Sequence, residues 1–209
     1  MEKFDPPHIG ITLPDSVPDE LIERFKSDLI ADNLKLDIRK LPLGPYASIS
    51  WAIPTAIGIW FLKGYFDVFL KALGNHHLEK VRDFLKKQSK ASRLIKSRVI
   101  VSAGSQDKID SENTQSKNFS IGTRTDSGHT VKFLFDEKLP DADWDDAIDD
   151  IIRMLEQHFE MGNNDKLSNF LKDKMKGDVF AVLNSETKQW EFWDSRRLIE
   201  QQLDKKRNA

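Results

Sequence analysis

The chain has 209 residues, 39% of them apolar with 13 Phe and 5 Trp, and 32% of them charged, for a formal net charge of −2. Such an apolar share excludes disorder throughout, and the near balance of charge removes any global pull toward nucleic acid or anionic lipid. No cysteine is present, which excludes disulfide staples, thiolate metal sites and a cysteine nucleophile together and fits a reducing, cytoplasmic setting.

Residues 1–7 lack a basic region followed by an apolar stretch, so no secretory signal is expected. Ile9, Ile11 and Leu13 alternate with Gly10 and Thr12, the two-residue period of a strand with one buried face. Ser16, with Pro18 and Asp19 behind it, marks a helix start. Leu21, Ile22, Phe25 and Leu29 recur at helical spacing over 17–32. Asn33 suits a left-handed stop, and Leu34, Leu36 and Ile38 alternate as a second strand.

Pro42, Gly44 and Pro45 punctuate the chain before its most apolar part. No charged side chain occurs from Tyr46 to Leu62, and Lys63, Asp67 and Lys71 then recur every four residues among Tyr65, Phe66, Val68, Phe69 and Leu70. This predicts an apolar helix over about 48–73, with Trp51, Ile57, Trp60, Phe61, Tyr65, Phe66 and Phe69 as an interface for a protein partner or a second copy. A helix apolar over so much of its circumference needs cover from protein or lipid. The stretch Pro54-Thr55-Ala56 through Tyr65-Phe66-Asp67 to His76-His77 resembles a segment of small uncharacterised bacterial proteins, a proline-broken apolar helix leading into a Tyr-Phe-Asp cluster. The resemblance implies no activity.

A helix over about 76–95 is basic. Lys80, Arg82, Lys86, Lys87, Lys90, Arg93, Lys96 and Arg98 stand against Asp83 alone, a local charge of +7. Val99 to Val101 suggests a strand, and the polar 104–117 a loop that would hold any domain boundary. Phe119 to Thr123 and Val131 to Phe135, around Asp126-Ser127-Gly128, form a hairpin. Trp144, Ile148, Ile151, Leu155 and Phe159 define a helix over 141–161 whose first 20 residues carry a charge of −7, including Asp143, Asp146, Asp149 and Asp150. A short helix from Asp165 and a hairpin of 179–183 with 190–193 follow, and a further helix is expected from Arg196. These elements predict an α+β fold, an antiparallel or mixed sheet of about six to seven strands covered by four to five helices. They fit one domain with a helical insertion at about 45–97.

No catalytic residue, cofactor or metal ligand is assigned from this sequence. His76-His77 reads as a solvated helix start, since adjacent helical residues diverge too far to chelate one ion. Asp141, Asp143 and Asp145 open like a calcium loop, but Asp146 and Ile152 stand where that loop needs Gly and Glu. Ser127 and His129 are expected to be plain turn residues. Trp190 and Phe192 share a strand face and fill a core, and the pI of about 6.2 disfavours nucleic acid. The leading expectation is a non-enzymatic interaction protein built on the apolar helix. The alternatives are a peripheral protein holding the inner face of an anionic membrane, or a membrane-acting effector, through the apolar-then-basic segment 46–98, and a cation-dependent enzyme with its acidic site at 141–150. The bland reading lays the basic helix along the acidic one within one molecule.

Overall fold

The structure is a computed structural model that describes residues 6–42, 55–71, 75–94, 114–161, 164–174 and 176–195. Its strands are β1 (Ile9–Pro14), β2 (Leu36–Leu41), β3 (Ile57–Phe61), β4 (Gln115–Arg124), β5 (Thr130–Asp136), β6 (Asp178–Leu183) and β7 (Trp190–Asp194). They form one seven-stranded sheet in the order β2-β1-β3-β4-β5-β6-β7. The helices are α1 (Asp19–Leu29), a π-helical α2 (Tyr65–Leu70), α3 (Asn75–Arg93), α4 (Asp141–Met161) and α5 (Lys166–Leu171). The fold is α+β with a mixed sheet.

Pairing alternates. β1 runs parallel to β2, β3 to β4 and β5 to β6, and each parallel pair is joined through helices, because a parallel connection must cross back over the sheet. β4/β5 and β6/β7 are hairpins, the first turning at Gly128 with φ 83°. Ile9, Ile11, Ile59, Phe61, Ile121 and Phe133 point from the sheet into one core shared with Phe25 of α1, Phe84 and Leu85 of α3, Trp144 and Ile148 of α4 and Leu167 of α5. The helices therefore cover one face. On the other, Leu134 and Phe180 form a small separate cluster with Val182 and Trp193.

The apolar helix predicted over 48–73 needs correction. Residues 57–61 are the strand β3, set between β1 and β4. Ile57, Ile59 and Phe61 enter the core on one side while Gly58 and Trp60 face the other. β3 carries no charge on either face, so its alternation disappears into a continuous apolar run that imitates a buried helix. Helical winding begins only after Leu62, with Tyr65 and Phe66 buried against Phe61 at ring separations of 5.3 and 6.0 Å. Phe66 also stacks on Phe159 of α4 at 5.1 Å. The segment expected as a helical insertion thus supplies a strand of the main sheet. Trp51, the strand expected at 99–101, most of the loop 104–117 and the helix expected from Arg196 lie outside the described residues, as does the side chain of Phe69. Residues 115–117 of that loop belong to β4.

Two smaller corrections concern helix ends. α1 begins behind Pro18 with no side-chain cap, so Ser16 does not act as one. α1 ends at Leu29, and Asn33, with φ 65°, instead turns the chain ahead of β2.

Candidate functional site

The face of the sheet away from the helices carries a row of residues in register across neighbouring strands. Gly10 pairs with Trp60, Trp60 with Gly122, Gly122 with Lys132 and Lys132 with Phe180. Glycine on both sides of Trp60 lets the indole lie down on the sheet. A Cβ at Gly122 would meet the six-membered ring at 2.4 Å, so only a residue without a side chain fits beneath it. At Gly58 a Cβ would come within 2.4 Å of the Thr12 hydroxyl. Trp60 is only partly buried, and with one ring face on glycine it forms a flat platform at the wall of a cavity of about 250 Å³.

Thr12, Thr55, Ser120, Lys132 and Phe180 line the same cavity. Counting protons fixes what the hydroxyls offer. Thr55 Oγ1 donates to the Ile57 carbonyl at 3.1 Å and lies 2.5 Å from Ser120 Oγ. Each hydroxyl has a single proton, so Ser120 donates to Thr55 and keeps its lone pairs free to accept. Thr12 Oγ1 likewise spends its proton on the Gly58 carbonyl, at 3.3 Å. The cavity therefore presents hydroxyl acceptors and one cationic donor group, Lys132, which is 8% exposed. Burial pushes its ammonium down to about 8, against a smaller opposing pull from the Asp178 carboxylate at the cavity rim.

The residues expected to form a partner or membrane surface are placed differently. Ile57, Phe61, Tyr65 and Phe66 are at most 3% exposed in the core, so their own protomer already covers them. Trp60 alone, of the described ones, faces away from that core. The basic and acidic helices lie side by side in one molecule. Lys86 pairs with Asp149 at 2.7 Å, Lys90 with Asp145 at 2.8 Å, and Arg93 with Asp141 while its guanidinium stands 4.6 Å over the Trp144 ring. Arg82 reaches toward Asp149 at 3.9 Å, Lys87 pairs with Asp28 of α1, Asp143 with Lys188 of the second hairpin, and Asp150 with Arg153. Lys80 and Asp146 remain exposed. Charges read as a surface for head groups or a cation are thus largely spent on joining α3 to α4.

Two histidine readings also change. His76 is exposed, but His77 is buried, its Nδ1 3.2 Å from the Tyr65 hydroxyl. Burial lowers the His77 pKa and raises that of Tyr65, which keeps both neutral near pH 7. Ser127 Oγ does reach His129 Nδ1, at 2.8 Å, because Thr125 holds the turn through the same hydroxyl and the His129 backbone. Sequence spacing gave no hint of that closure. A third cluster joins His158, Asp165 and Ser168: Asp165 caps α5 by accepting from the N–H groups of Leu167 and Ser168, and its second oxygen sits 3.0 Å from His158 Nδ1. Serine and aspartate meet the same ring nitrogen there, so the imidazole cannot relay between them.

Among the described residues no group of three or more His, Asp or Glu could hold a metal ion, and no helix is long and apolar enough to cross a membrane. No family model matches the chain, nor does any curated protein or solved structure.

The signal that could have located the cavity is Gly-Ile-Trp at 58–60 beside Gly10 and Gly122, three glycines in strands rich in β-branched residues. An isolated glycine inside a strand marks a close approach of other atoms.

Proposed function

We propose that the protein is a binding protein for a small planar molecule, held in the cavity on the helix-free face of the sheet. The observation that carries this reading is Trp60 lying on Gly122 with Lys132 in the next strand along the same row. A ring stacked on the indole would direct a carboxylate or carbonyl oxygen at Lys132, where a charge-assisted hydrogen bond in a dry site is strong. Its N–H or O–H groups would meet the hydroxyl oxygens of Ser120 and Thr12, whose own protons are already committed. The space of about 250 Å³ limits the ligand to a small one, since pockets that take drug-sized ligands measure roughly 300–1,000 Å³.

Protein-observed NMR with a set of planar fragment acids, phenols and aldehydes tests the reading. Shift changes should converge on the Trp60 indole N–H and the amides of Thr12, Thr55, Gly58 and Ser120. Trp60→Ala should weaken every hit at least tenfold. Fragments that gather elsewhere, or hits indifferent to the loss of Trp60, remove the proposal.

A further inference from the structure

The polar side of the cavity gathers around one glycine. Thr12, Gly58 and Ser120 stand in register on three neighbouring strands, two residues along from the row that holds Trp60 and Gly122. A Cβ at Gly58 would come within 2.4 Å of Thr12 Oγ1, 3.3 Å of the Trp60 indole nitrogen and 3.6 Å of Thr55 Oγ1. The missing side chain lets these groups converge, where a larger residue would hold them apart. Ser120, only 1% exposed, joins them through Thr55 Oγ1 at 2.5 Å.

This hydroxyl relay has a direction, and the backbone sets it. A carbonyl oxygen only accepts, so the Ile57 carbonyl takes the Thr55 proton and Ser120 turns its own proton onto Thr55. Ser120 Oγ and Thr12 Oγ1, whose proton goes to the Gly58 carbonyl, are then both acceptors in the wall of the cavity. An incoming carbonyl or ether oxygen would set lone pairs against lone pairs, whereas a ring edge bearing N–H would complete them. A buried acceptor covered by a group that cannot donate loses its water and gains nothing in return. An aliphatic amine donates too, but as a cation that would share the cavity with Lys132, a juxtaposition of like charges. An aromatic amino group is neutral and flat, and its ring can stack on the indole. Electron withdrawal by ring nitrogens strengthens such an N–H as a donor and suits the ring to an electron-rich platform.

We propose that the cavity selects a heteroaromatic ring carrying a neutral amino group on its edge, of the aminopyrimidine kind, and that Thr55 sets this preference by holding Ser120 as an acceptor. The inference rests on the cavity being the ligand site. Thr55 is here a positioning residue, since it acts on the choice of ligand through Ser120.

Three planar acids of similar size test it by NMR titration of the full chain. 2-Aminopyrimidine-5-carboxylate offers a donor edge, 2-methylpyrimidine-5-carboxylate a silent one, and isonicotinate N-oxide an acceptor edge. The amino compound should bind at least ~10-fold tighter than the methyl compound, and the N-oxide weakest, as expected where a buried acceptor goes unpaired. Thr55→Val keeps the shape but releases the Ser120 proton, so the N-oxide should gain and the spread between amino compound and N-oxide should shrink at least ~5-fold. Thr55→Ser restores the hydroxyl and should restore the wild-type order. This readout is a ratio between ligands, which a merely structural loss would leave unchanged. Ser120→Ala should bring the amino and methyl compounds within ~3-fold of each other, and with the wild-type ratios it decides the ligand class if Thr55→Val folds poorly. If all three acids shift Trp60 and Gly58 with equal affinity, or if Thr55→Val leaves the order and spread unchanged, the inference is overturned and the binding cavity stands. If none of them moves these residues, both readings fall.

Discussion

The two faces of the sheet are built from opposite vocabularies. Toward the helices each strand presents large apolar side chains, such as Ile11, Ile59, Phe61, Ile121 and Phe133, which are at most 1% exposed. Away from them the same strands present Thr12, Gly58, Trp60, Ser120, Gly122 and Lys132. The first set closes a core, where volume decides stability. The second leaves space and places single polar groups around it, which costs stability and supplies recognition. One face alone therefore carries most of the folding free energy, and chemistry is to be sought on the other.

Matched truncations on one pair of strands sharpen this contrast most. Phe133 is buried among Trp190 and Phe135 on the helix side, and Phe133→Ala should cost about 3–5 kcal/mol through lost burial and the cavity left behind. Val182, in the adjacent strand on the other face, is only partly buried, so Val182→Ala should cost about 1 kcal/mol. Urea unfolding of both variants at constant m measures the difference, and equal losses would show that the second face is as tightly filled as the first. Gly122→Ala comes next. Its methyl would stand 2.4 Å from two indole carbons, so the ring must lift, at about 1–3 kcal/mol by the cost of overpacking. Trp60 should report the move as an altered indole N–H shift, and an unchanged spectrum would mean the platform does not rest on this glycine.

Much of the architecture was legible. The first strand, the helix at 19–29, both hairpins and the long acidic helix follow from periods of two and 3.6 that solvent imposes on half-exposed elements. β3 was not legible as a strand, because burial on both sides erases the alternation that identifies one. The cavity was hidden for a related reason. Trp60, Gly122, Lys132 and Ser120 come from three strands, and only pairing register brings them into a row. Lys132 reads as the ordinary outward residue of a hairpin strand until β3 and β6 flank its hairpin. The charge complementarity of 80–98 and 141–160 was visible, but sequence cannot say whether opposite charges meet within one molecule or between two.

The helix side also has a polar anchor with a pH signature. Burial pushes the Asp165 carboxyl up, but hydrogen bonds from the Ser168 hydroxyl and N–H and from His158 prevail and hold it below its ordinary value of 3.8. A carboxyl lowered on folding stabilises fully above its unfolded pKa and loses that contribution as pH falls through the folded value. Asp165→Ala should therefore cost about 1–2 kcal/mol at pH 7, as for a lost helix cap. The gap from wild type should narrow below pH 3.8 as the native carboxyl itself takes up a proton. Denaturation at pH 7, 4 and 2.5 checks the sign, and a gap that widens on acidification would contradict it.

The smallest effect is expected where the charges are most conspicuous. Lys86 and Asp149 form one rung between α3 and α4, with side chains 27% and 41% exposed. A pair this wet gains little Coulomb energy and gives up side-chain entropy, so Lys86→Gln should cost about 0.2–1 kcal/mol, and less still in 1 M salt where screening acts within ~3 Å. If the ladder instead held the helices onto the sheet, the loss would exceed that range and persist at high salt. The expected outcome assigns adhesion to the ring contacts and aliphatic side chains beneath the ladder, such as Leu85, Trp144 and Ile148. The ladder then sets which way α3 lies along α4. Reversing the rung by Lys86→Glu, which puts two carboxylates together, should cost more than neutralising it. Restoring opposite charges with Asp149→Lys in the same chain should recover most of that loss, as orientation by charge requires.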